Sequence, residues 1–299
     1  MKKLPISMAM SLALTSGIVF AKNDTATELV NMMEAVNVKL SAQGANHRVM
    51  KVEAIVNQGA DQEGITVIAK NVGNKRLGAQ FVPFDPRRLW SITGDVAGVS
   101  DSITHTIDTI DGTPISGSVT EAEATEALQN SMVTWDGVKC SDMPLVEVGN
   151  GGDLGVFAWL IGLGGSPFVD ADIMQAGWGD IDFTGGVLAA TFTFIFIDGI
   201  DPTDIDNDGY SDTAFREVYY DPSWVWSVDG SAFDIETIAL HENGHSLSQG
   251  HFGSVVIGKK GLRANPRAVM NAIYGGQLRS LKGTDKGGHC GMWANWPNN

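Results

Sequence analysis

Three of the six histidines in this 299-residue chain, His241, His245 and His251, fall within eleven residues, and their spacing constrains the local fold more tightly than any other feature. Residues four apart on an α-helix differ by about 400° in azimuth, so His241 and His245 project from one face a single turn apart. A residue six further on would lie about 240° round the same helix and face away. The helix must therefore end before His251 if the three rings are to meet. Ser248-Gln249-Gly250 is the segment available for the break, and Gly250, free to adopt positive φ, is the expected hinge. His-Glu-x-x-His followed by a further histidine six residues on is expected by chance on the order of 10⁻⁴ times in a chain of this composition, so the pattern has a cause beyond composition.

The chemistry that suits this pattern is zinc binding. Three neutral imidazoles leave the ion its full charge and one open position, whereas a structural site closes its fourth position with Cys or carboxylate. Glu242, beside His241 and not needed as a ligand, is the candidate general base for attack of water on a peptide carbonyl. The bland alternative is a structural zinc or a satisfied histidine-rich helix.

His241-Glu242-Asn243-Gly244-His245-Ser246-Leu247-Ser248-Gln249-Gly250-His251 resembles the zinc motif of the metzincin metalloproteases, most closely the matrixin branch. Ala268-Val269-Met270-Asn271-Ala272-Ile273-Tyr274 resembles that family's Met-turn, which implies Met270 as an apolar floor under the histidines and Tyr274 as a candidate support for the pocket wall. Ala171-Asp172-Ile173-Met174 and Gly185-Gly186-Val187-Leu188-Ala189 are similar to the strand pair ahead of the active-site helix. The resemblance implies that the second of these is an edge strand to which substrate backbone adds, in keeping with how an unpaired edge accepts an extended peptide. It further implies an α+β fold with a twisted mixed sheet packed on the active-site helix and a second long helix, then a C-terminal subdomain after His251. One catalytic Zn²⁺ and a protein or peptide substrate follow from it. Ser248 stands where the family usually has Gly. With no histidine between His105 and His241, a second zinc is not expected, and with no cysteine before Cys140 a cysteine-switch propeptide is excluded.

A second cation motif lies upstream. Asp204, Asp206, Asp208 and Asp212 occupy positions 1, 3, 5 and 9 of a loop with Gly209 at position 6, and the Tyr210 carbonyl would serve as the position-7 ligand for a structural Ca²⁺. Position 12 is Phe215 rather than the bidentate Glu of a full EF-hand. An acidic solvated turn is the simpler alternative.

Organisation along the chain is consistent with export. Lys2 and Lys3 precede a mostly apolar stretch ending near Val19-Phe20-Ala21, so residues 1–21 read as a signal peptide and the protein as secreted, extracellular or periplasmic. Residues 22–86 carry a helical stretch near 28–40 and alternation near 49–56, and read as a propeptide or an accessory layer; residues 87–299 read as the catalytic domain. Thr120 and Glu123 form a capping-box pattern ahead of a helix whose Leu128, Met132 and Trp135 share a face. Strands are expected at 145–148, 170–174, 187–197 and 215–220, and a helix capped by Asp234 runs through His245. Cys140 and Cys290, the only cysteines, are expected to form a disulfide in an oxidising compartment. The apolar run 154–165, broken by four glycines, is too short to span a membrane, and no stable membrane insertion is expected once the leader is removed.

Composition narrows the partners. Thirty-five acidic against twenty basic side chains give a formal charge of −15, which repels nucleic-acid phosphate, and the protein is expected to act as a monomer. A reading from another class stays open: a non-catalytic, calcium-dependent surface or adhesion module with a protease-like fold. Retention of Glu242 argues against it, since zinc binding alone does not require that carboxylate.

Overall fold

The computed structural model describes residues 25–60, 63–69, 78–88, 101–149, 152–258 and 261–298; the expected leader at 1–21 lies outside them. In chain order the elements are α1 (Thr25–Ala42), β1 (His47–Val56), β2 (Ile65–Ile68), β3 (Ala79–Gln80), β4 (Ile103–Ile107), α2 (Glu121–Asp136), β5 (Leu145–Glu147), α3 (Val156–Ile161), β6 (Ile173–Gly177), β7 (Val187–Asp198), β8 (Asp201–Pro202), β9 (Ser211–Tyr220), β10 (Trp226–Ser227), β11 (Phe233–Asp234), α4 (Ile235–Ser246), β12 (Ser254–Gly258), β13 (Gly261–Asn265) and α5 (Gly283–Trp293). This is an α+β arrangement around one twisted mixed sheet, ordered β2-β1-β7-β9-β6-β4-β5, with β3 and β8 adding short pairs to β9 and β7.

Strands β9, β6, β4 and β5 run parallel, whereas β7 is antiparallel to β9 and β1 antiparallel to β7. The middle of the sheet is covered on both faces, and so β7 reads as a nearly continuous apolar run relieved by Thr, while β9 is buried throughout although half its residues are polar or charged. On one face, α1 and α3 bring Leu29, Met33, Val36 and Phe157 against Val52, Phe192 and Phe194. On the other, α2 and α4 pack Leu128, Ile235 and Ile238 with Leu188, Val218 and Tyr220.

Helix α2 begins as its sequence requires. The Thr120 hydroxyl accepts from the Glu123 amide at 3.3 Å and the Glu123 carboxylate accepts from the Thr120 amide at 2.9 Å. Its Leu128, Met132 and Trp135 are buried, and the Trp135 indole donates to the Leu240 carbonyl at 2.9 Å, fastening α2 to α4.

Several boundaries differ from the sequence expectation. The stretch 154–165 yields only the six-residue α3, stopped by left-handed Gly162. Strand β6 starts at Ile173 instead of Asp170; at its entrance the Asp172 amide donates to the Thr104 hydroxyl at 3.0 Å, and the Asp172 carboxylate is held by Arg88 and by the Thr104 amide. Helix α5 and the β12–β13 hairpin had no clear periodic signal. The Cys140–Cys290 disulfide ties the end of α2 to α5 across 150 residues. Such a long closed loop contributes about 4–5 kcal/mol in the chain-entropy estimate. No described helix is long and apolar enough to cross a membrane.

Candidate metal centre

Helix α4 carries two of the three histidines, and its start is heavily anchored. Asp234 caps it by accepting from the Thr237 amide at 2.9 Å, and Arg279 and Gln277 bind the same carboxylate. The Tyr274 hydroxyl accepts from the Asp234 amide at 3.2 Å and its ring meets Phe233 edge-on. Tyr274 thus braces the beginning of α4, and it also borders a cavity of about 20 Å³ lined by Ile55, Val269 and Ile273.

At the other end of α4 the three rings converge. His245 Nε2 lies 3.0 Å from His241 Nε2 and 3.2 Å from His251 Nε2. His241 Nδ1 donates to the Val269 carbonyl and His245 Nδ1 to the Gln249 carbonyl, each at 2.7 Å. A carbonyl can only accept, so these bonds put the proton on Nδ1 and leave the Nε2 lone pairs facing the common centre. Burial pushes His241 down to about 3, reinforced by His251, and holds His245 well below its usual value, so these two rings stay neutral. The donor set, and the tautomers of the two helical rings, fit a zinc ion.

Met270 lies against α4 where Gly244 leaves room. A Cβ on Gly244 would come within 2.2 Å of the Met270 sulfur, so the close approach requires glycine between the two helical histidines.

The helix ends differently from the expectation. Ser248, not Gly250, takes positive φ, at +68°. Its hydroxyl donates to the Ala79 carbonyl at 2.8 Å and accepts from Arg216 Nη2 at 3.0 Å, while Arg216 Nη1 caps the His245 carbonyl at 2.5 Å. These bonds offset the cost of a Cβ in the left-handed region. Ser248→Ala, keeping the Cβ and losing both bonds, should lower stability by about 1–3 kcal/mol in urea unfolding, more than Ser248→Gly. Equal or greater loss in the glycine variant would contradict this account of the turn.

Glu242 is fully buried, and its Oε2 accepts from the Thr191 hydroxyl at 2.6 Å. Its Oε1 has no hydrogen-bond partner among the described residues. Burial pushes the carboxyl up to about 8, with the Thr191 hydrogen bond opposing and the nearby Glu53 charge adding.

Strand β7 is not an edge. The resemblance implied a free edge following Gly185, but β1 pairs along β7 from His47↔Phe196 to Val56↔Val187 and fills it. Within this register Glu53 stands opposite Thr191. Cross-strand partners share a face, so Glu53 is delivered to the side of Glu242 and the histidines, 3.5 Å from His245 Nδ1, with Lys51 2.7 Å from its carboxylate. The described part of residues 22–86 supplies α1 and strands β1, β2 and β3 of the main sheet.

The aspartate loop is partly assembled. Carboxylate oxygens of Asp204, Asp206 and Asp208 gather within 4.8 Å of one another, with Asn207 and Gly209 in the left-handed region. The Tyr210 amide donates to Asp208 at 2.7 Å. Asp212 departs from the expectation: it belongs to β9 and its carboxylate binds Arg87 at 2.7 Å and Thr203 at 2.5 Å instead of joining the other three.

Three contributors escaped the sequence reading. Thr191 had a signal, since threonines alternate with phenylalanine in residues 191–194. Arg216 and Glu53 had none, because only the sheet register brings them to α4. No protein-family model matches the chain, and no curated protein matches it.

Proposed function

We propose that this chain is a zinc-dependent endopeptidase of metzincin type whose substrate groove is filled by its own strand β1. The observation that carries the reading is the convergence of three Nε2 atoms beside a buried carboxylate from the helix that carries two of the histidines. A zinc ion held by His241, His245 and His251 would supply Lewis acidity, polarising a peptide carbonyl and acidifying a water. Glu242 accepts the proton and returns it to the leaving amine. Thr191 fixes one carboxylate oxygen and leaves the other without a competing bond. Val269 and Gln249 hold the two helical imidazoles in the ligating tautomer.

The position of β1 supports a peptide substrate. It runs antiparallel to β7 and forms a parallel bridge from Val56 to Ile273, just beyond Met270, so it lies between two backbone edges that can each bond an extended chain. Ile55 belongs to the apolar cluster that contains Ala189, Ile238 and Tyr274, so the strand also buries a side chain beside the site. In this reading the N-terminal region is a propeptide-like blocker, and activity requires β1 to leave.

The closed groove equally suits the non-catalytic, calcium-dependent module. Against it stands the desolvation cost of Glu242, which a purely structural zinc site has no reason to bear. Metal analysis of the native full chain tests the ligand assignment. About one zinc per chain is expected in wild type, lost in a His241→Ala/His245→Ala variant; wild type purified without zinc and unable to take it up would overturn the reading.

A further inference from the structure

On the opposite face of the sheet from α4, five carboxylates meet where β4 and β6 end and the chain enters α3. Oxygens of Asp111, Asp153 and Asp180 lie within 4.8 Å of one another. Behind them, Asp108 accepts from the amides of Ile110, Asp111 and Leu154, and fully buried Glu217 accepts from those of Val156 and Phe157 and from the Tyr219 hydroxyl. The two rear groups are thus satisfied by the protein. Two of the front three are not: Asp180 is only 9% exposed, yet its Oδ2 lacks any hydrogen-bond partner, as does Asp153 Oδ1. Among the described residues no Lys or Arg pairs with any of the five.

The backbone is shaped to this cluster. A Cβ on Gly164 would stand 2.1 Å from Asp180 Oδ1, and one on Gly179 would collide with the whole Asp111 carboxylate. Glycine at both positions lets main chain close around the acids. Holding three mutually repelling carboxylates together, one buried and two half-buried, without a counter-charge costs free energy that a cation would offset.

We propose that Asp111, Asp153 and Asp180 hold a calcium ion, at a site separate from the aspartate loop at 204–212 and independent of the zinc reading. Hard carboxylate oxygens with no nitrogen or sulfur donor select a calcium-like cation. The ion joins the carboxyl ends of β4 and β6 to the loop before α3, locking the sheet end remote from the histidines.

The charge balance agrees. Burial, then the charges of Asp111, Asp153, Asp108 and Glu217, push Asp180 from 3.8 to about 7, and burial pushes Glu217 to about 7. A carboxyl raised on folding favours the folded state below its unfolded value, and that contribution is lost as pH rises through the folded value. Calcium should therefore raise the melting temperature of the stripped chain at neutral pH.

The test uses the full chain stripped with chelator, with calorimetric titration of calcium and melting curves at neutral pH. Asp180→Asn, which removes charge and keeps shape, should bind one calcium fewer than wild type. It should also melt higher than wild type in chelator, because a repelling charge has gone. Asp206→Asn should leave this binding event in place. An Asp180→Asn protein that folds and binds as many calcium ions as wild type would overturn the proposal, as would wild type whose melting temperature calcium does not raise.

Discussion

In the chain freed of β1, Glu242→Gln is expected to lower kcat for peptide hydrolysis by about 10²–10⁴-fold, the usual worth of a positioned general base, while zinc content stays at the wild-type level. The amide keeps the shape of the side chain and can still accept from the Thr191 hydroxyl, so the three histidines are undisturbed. Stability separates loss of chemistry from loss of fold. The metal-free carboxyl is raised from 4.5 to about 8, so at neutral pH its burial opposes folding. A neutral amide removes that cost, and the metal-free variant should unfold no earlier than wild type. A variant that hydrolyses casein at the wild-type rate would end the assignment of Glu242.

The second large effect concerns β1. An inserted cleavage sequence in the turn at residues 57–60, which links β1 to β2, allows the chain to be cut at a chosen moment. Once cut, the segment with α1 and β1 is held by non-covalent contacts alone, among them the pairing of β1 with β7 and β2, the Val56–Ile273 bridge and the packing of α1 on α3, and is removed by chromatography in denaturant followed by refolding. Hydrolysis should then rise by about tenfold or more, since each 1.4 kcal/mol by which β1 outcompetes substrate hides a factor of ten in competent protein. Equal rates before and after verified loss of the segment would show that β1 is a permanent part of the fold and not a blocker.

How far the site could be read in advance follows from the range of the forces involved. The histidine spacing, the Asp234 cap and the Thr120–Glu123 box are local patterns, and each appears in the structure where the sequence puts it. The helix ends within the segment that the spacing requires, but the chain turns at Ser248 and not at Gly250. Glycine was expected to bend because it bends without cost, whereas Ser248 bends because Ala79 and Arg216 hold its hydroxyl. Those partners are 169 and 32 residues away, beyond any periodicity argument. Asp212 went astray for the same reason: its loop spacing suited a cation, but Arg87, 125 residues upstream, reached it first. The occupied edge of β7 is the largest difference. Residues 49–56 alternate in the sequence, yet which strand such a stretch pairs with depends on the whole sheet, and alternation carries no information about partners. The acidic cluster at Asp111, Asp153 and Asp180 was invisible because its members come from three loops.

The central claim is that a zinc held by three histidines, beside Glu242, cuts peptide bonds once β1 has gone. Its most direct test is incubation of the zinc-loaded, β1-released chain with unlabelled casein, with mass spectrometry of the products. The account predicts new internal termini in casein, their disappearance with a zinc chelator, and their return when zinc is added back. Casein left intact by folded, zinc-loaded protein from which β1 has demonstrably been removed would contradict it.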